Sequence, residues 1–135
     1  MGAEMKSRDS LIRLKRFHAD EKRRQVTQIE TMIAEFERMA KDLDDQIMAE
    51  QERTGIHDAG HFAYPTFAKA AMQRRDNLRA SADELKTQLA AAVAERDEAV
   101  AELEKAEAIA ERDGAAERSA NHGVRGGGSM VAAAR

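Results

Sequence analysis

The sequence predicts an all-α protein: two long helices forming an antiparallel coiled-coil hairpin, with a disordered C-terminal tail. Three observations carry that expectation. Charged residues make up 35% of the 135-residue chain and aromatic residues 4%, a balance suited to long helices and poor in the bulky groups a wide core needs. Apolar residues recur at alternating steps of three and four on both sides of residues 54–65. The helix breakers are gathered in one place. Between Ala3 and Asp113 the glycines are Gly55 and Gly60, and the single proline of the chain is Pro65.

A chain of this length predicts one domain. After a flexible N-terminus over 1–6, the first helix is expected from about Ser7 to Arg53, with Ser7 or Asp9 able to accept free amide protons of its first turn. Ile12, Ala19, Val26, Ile29, Ile33, Phe36, Ala40, Leu43 and Ile47 place one narrow apolar stripe along it. Such a helix would be roughly 70 Å long at 1.5 Å per residue. A rod of that length cannot bury its own stripe, so a second helix is required.

The turn, about 54–65, reads "TGIHDAGHFAYP". Beyond it the second helix is expected from about Pro65 to Arg112, since a proline is tolerated in a first turn where its missing N–H would be unpaired anyway. Its stripe reads Phe67, Ala71, Leu78, Ala82, Leu85, Leu89, Ala92 or Val93, Val100 and Leu103. With the hairpin centred near residues 58–60, Ile47 lies near Ala71, Ile33 faces Leu85 and Ile29 faces Leu89. The coiled-coil hairpin so defined covers 7–118. The remainder, 119–135, contains Gly126–Gly128 and no periodicity, and is expected to be a flexible tail.

Charge supports the same pairing. Residues 6–24 carry eight basic groups against three acidic ones, a local net of +5, while residues 83–113 carry a local net of −6. An antiparallel fold sets these stretches side by side. Arg8, Lys15, Lys22 and Arg96 nevertheless occupy positions where the stripe asks for apolar residues. The charged end therefore has two readings: a solvated, fraying end, or a basic surface held by a partner.

The overall net charge of −3 and the lack of aromatic interleaving argue against nucleic acid. There is no cysteine, which suits a reducing compartment. No apolar run approaches the roughly 18 residues of a membrane span, and the first residues lack the apolar core of a secretory signal. Gly2 meets a myristoylation motif only in part, because Lys6 stands where Ser or Thr is wanted; Met5 could also be the true start. His57, Asp58 and His61 are the nearest approach to a metal site, but zinc asks for three or four fixed ligands, and solvated histidines beside a turn-capping aspartate explain the pattern better. No phosphate loop or nucleophile motif occurs. Neither catalysis, a cofactor nor a metal is expected.

The opening "MKSRDSLIRLKRFHADEKRRQV" and the second-helix start "YPTFAKAAMQRRDNL" resemble the FliJ family of flagellar type III export proteins, in its alphaproteobacterial form, over about residues 5–118. The specific part of the likeness is the basic amphipathic start together with Tyr64-x-x-Phe67. The resemblance implies a cytoplasmic antiparallel coiled coil, like the stalk of rotary ATPases. Such a stalk enters the hexameric flagellar export ATPase, engages the cytoplasmic domain of the membrane export gate and handles export chaperones. It would associate peripherally with the inner membrane through that apparatus and serve flagellum biogenesis, and hence motility and chemotaxis. Carried onto this chain, ATPase-ring binding falls on Arg13, Arg16, Lys22, Arg23 and Arg24. Gate binding falls on Tyr64, Phe67, Ala71, Arg74 and Leu78, although Ala71 and Arg74 depart from an apolar pattern. The competing reading of the rings is that they plug the closed end of the hairpin. Competing functions are a generic coiled-coil export chaperone or holdase, and a structural oligomerisation protein.

Overall fold

The computed structural model describes the backbone of residues 2–133 and the side chains of residues 6–121. Two helices account for nearly all of it: α1 over Gly2–Thr54 and α2 over Thr66–Ala133, antiparallel and packed against each other as a coiled-coil hairpin. α1 begins before Ser7 and Asp9, which sit inside it as exposed residues and do not cap it. Met5 and Lys6 are good helix formers, so the helix has no reason to wait for the first capping side chain. The expected flexible ends, 1–6 and 119–135, fall almost entirely outside the described side chains.

α1 stops at Gly55, whose φ of 73° lies in the left-handed region. Its N–H donates to the Gln51 carbonyl at 2.8 Å, closing the helix end with a single backward bond. The Thr54 hydroxyl donates to the Glu50 carbonyl at 3.0 Å and accepts from the Ile56 N–H at 3.3 Å. The turn that follows is held by local bonds. Asp58 Oδ1 accepts the Gly60 N–H at 2.9 Å, and the Asp58 and His61 carbonyls accept the His61 and Tyr64 N–H groups at 3.0 Å each. The Pro65 carbonyl then accepts the Lys69 N–H at 3.1 Å, which opens α2.

The described residues form two compact units: those up to Glu21 together with those from Arg96 on, and Lys22–Glu95. In the second unit, Val26, Ile33, Ala40 and Ile47 are buried at intervals of seven along α1, with Ile29, Phe36 and Leu43 half-buried between them. The facing row on α2 is Ala68, Ala71, Ala82, Leu85 and Ala92, all buried, with Leu78 and Leu89 half-buried. Large groups on α1 thus meet mostly alanines, which keeps the helices close and the seam thin. Charged pairs flank it and report its register: Lys22 with Glu95 at 3.0 Å, Glu37 with Lys86 at 3.0 Å, and Asp44 with Arg75 at 2.8 Å. The Lys22–Glu95 and Asp44–Arg75 pairs centre the hairpin between residues 58 and 60, the register expected from the stripes, and the diagonal Glu37–Lys86 pair centres it near 61–62.

The first unit is built on less apolar material. Ala19, Ala99 and Leu103 are buried together, with Ile12 and Val100 packed against them. Arg8 fills a seam position by reaching Glu117 at 3.0 Å and Asp113 at 3.3 Å. These carboxylates raise the Arg8 pKa above its ordinary value, chiefly through the hydrogen bond that Arg8 donates to Glu117. Lys15 and Arg16 approach Glu102 and Glu107 at 3.7 and 3.6 Å. The basic start and the acidic stretch of α2 therefore do pair, as the charge pattern expects.

Candidate interaction surfaces

At the turn, the residues expected to form one surface point in different directions. Tyr64 is buried, its hydroxyl accepting from Gln51 Nε2 at 2.9 Å and donating to Met72 Sδ at 3.4 Å. It fills the closed end of the hairpin. Ala71 is buried in the seam, and Leu78 is half-buried beside a shallow cleft of about 210 Å³ that Met39, Leu43, Gln46 and Arg74 also line. Phe67, by contrast, is 56% exposed, and Arg74 is exposed as well. Phe67 does not belong to the α2 stripe. Ala68 takes its place, because the seam runs 64, 68, 71, 75, 78 and leaves 67 and 74 on the outer side.

Phe62, for which the sequence offered no role, is 96% exposed and stacks on His61 with ring centroids 4.6 Å apart. His61 Nδ1 accepts the Ala63 N–H at 3.0 Å, so this stack stands on an ordered loop. The rings of "HFAYPTF" are thus divided: Tyr64 packs inside the closed end, while Phe62 and Phe67 are exposed. Periodicity within the turn could not separate them, since the helical repeat does not extend through it. Among the described residues no group of three or more His, Asp or Glu side chains is placed to hold a metal ion.

The basic start is likewise divided. Arg13 and Arg16 lie in the first unit; Arg13 is exposed, and Arg16 approaches Glu107. Lys22, in the second unit, is half-buried and bonded to Glu95, while Arg23 and Arg24 are exposed and each engaged in an interaction. Here too the structure shows residues that the stripe analysis passed over. Leu14 is 64% and Phe17 60% exposed, with Leu11 and Ile109 exposed beside them. A signal for them exists in the sequence: Leu11, Leu14 and Phe17 follow one another at steps of three, a second row beside the seam.

Among the described residues no helix is long and apolar enough to cross a membrane. The fold defines an antiparallel two-helix coiled coil with exposed apolar positions at the turn and along the basic stretch of α1. Comparison with protein families, with curated proteins and with solved structures gives no match.

Proposed function

We propose that this chain is a stalk and coupling component of the flagellar type III export apparatus, binding the export ATPase and the cytoplasmic part of the export gate and assisting export chaperones. The observation that carries the reading is the joint occurrence of an antiparallel coiled-coil hairpin, a basic amphipathic start and an aromatic group at the turn. A two-helix coil whose exposed groups are cations at one stretch and rings at another is suited to bridging partners. The first turn of α2 presents Phe67, and the basic stretch offers Arg13, which takes part in no ion pair within the described residues.

Purified export ATPase and gate domain test the reading with two variants that leave the seam untouched. Arg13→Glu is expected to weaken ATPase binding several-fold, more so as salt is lowered, because an exposed charge acts over a screening length of about 8–10 Å. Phe67→Ala is expected to weaken gate binding and leave the ATPase unaffected. Helicity should match the parent in both. A parent chain that neither binds nor stimulates the ATPase and does not bind the gate rejects the reading.

A further inference from the structure

The first unit leaves Leu11, Leu14, Phe17 and Ile109 exposed beside its seam. Between its helices lies an open groove of about 310 Å³ whose apolar lining is Leu11, Ile12, Ala106, Ile109 and Ala110. Leu14, three residues beyond Leu11, and then Phe17 extend this lining as a band around α1, both more than half exposed. Cations border it on both helices. Lys105 and Arg112 stand one turn either side of Ile109, and Arg13 stands one turn before Phe17. None of these three takes part in an ion pair within the described residues, unlike Arg8, Lys15 and Arg16, which are occupied by Asp113, Glu117, Glu102 and Glu107.

We infer that this groove and band dock an acidic amphipathic helix from a partner protein, laid along α1 and α2 as a third helix. The apolar groove floor between two helices accepts a row of Leu or Ile side chains repeating every three to four residues, the mode by which helices bind in grooves. Lys105, which lines the groove, and Arg112, one turn beyond Ile109, have no ion-pair partner among the described residues and select carboxylates on the flank of that helix. A concave seat between two helices, with Lys105 in its lining, favours a helix over a flat anionic lipid surface, which would meet the convex side of α1 alone. The inference concerns the chemistry of the partner and stands apart from the export reading.

The full chain is titrated with a dye-labelled, end-capped 18-residue peptide having leucines on one face and glutamates on its flanks. A copy with lysines replacing the glutamates and vesicles of phosphatidylglycerol serve as the other probes. Saturable binding of the acidic peptide is expected, with the basic copy at least about tenfold weaker, as one full charge contact of about 1.4 kcal/mol would require. Leu14→Glu with Ile109→Glu, both at exposed positions, should weaken binding at least tenfold. Lys105→Glu should weaken it several-fold, whereas Met48→Glu, exposed in the other unit, should not. Circular dichroism confirms the fold of each variant, and the comparison of acidic with basic peptide needs no variant at all. Absence of saturable binding, equal binding of the two peptides, or binding to vesicles in place of the acidic peptide overturns the inference.

Discussion

Glu50 illustrates how single side chains finish the end of α1. It lies in the last turn, where a negative charge faces the negative end of the helix dipole and is disfavoured. Arg53 answers it with two hydrogen bonds, one of them from Nε to Oε2 at 3.1 Å. The hydrogen bond from Arg53 holds the Glu50 carboxyl below its ordinary range, and Arg53 is correspondingly raised. Because the folded-state value is the lower one, the pair's contribution is complete above the ordinary carboxylate range. It is lost as pH falls through the depressed value. Carbon-detected NMR of the Glu50 carboxyl should therefore show a midpoint below the ordinary glutamate value. Arg53→Gln should move the midpoint back toward the ordinary value. An unchanged midpoint in that variant would show that the bond does not persist in solution.

For α2, the outcome depends on which of two adjacent rows a residue occupies. Leu85 is buried in the seam, whereas Phe67 is on the outer side and contributes little to the hairpin. Leu85→Ala is expected to destabilise by about 2–3 kcal/mol, the lower part of the range for buried leucines, because a two-helix seam can close over the loss. Phe67→Ala should change the melting temperature by no more than an exposed substitution does, about 0.5 kcal/mol in free energy. Thermal melts of the two variants check the difference, and equal losses would place Phe67 in the core after all. The legibility of the two helices differs for the same reason. Every stripe residue expected in α1 is buried or half-buried, because seven of its nine positions are Ile, Val, Leu or Phe set among mostly polar neighbours. In α2 the seam is largely alanine, and alanines also stand outside it at Ala70, Ala80, Ala90 and Ala91. There the periodicity is faint, and the bulkiest nearby residue, Phe67, drew the stripe one position away from Ala68.

Across the whole molecule, the two units differ in what holds them. Lys22–Glu95 buries Val26, Ile33, Ala40, Ile47 and Leu85, while the other unit relies on Ala19, Ala99 and Leu103 with charged residues at further seam positions. Exposed ion pairs contribute about 0–1 kcal/mol each, less than buried aliphatic side chains. Backbone amides over 12–19 should consequently exchange with solvent at least about tenfold faster than those over 33–40, the signature of local opening. Hydrogen exchange with residue-level readout measures this directly. Equal protection would mean that the hairpin opens as one cooperative body.

The sequence by itself determined the fold class, the place of the turn and the register. Those follow from the spacing of apolar residues, the gathering of breakers and the opposed charge of the two helices, all of which are properties of the chain order. The tertiary structure decided which way each side chain faces. Tyr64 turns inward because Gln51 and Met72 satisfy its hydroxyl there, and Phe67 turns outward because Ala68 allows the closer helix approach. Arg8, Lys15 and Lys22 remain in the seam line because carboxylates on α2 reach them, a fact of three-dimensional pairing that no periodicity along one helix contains.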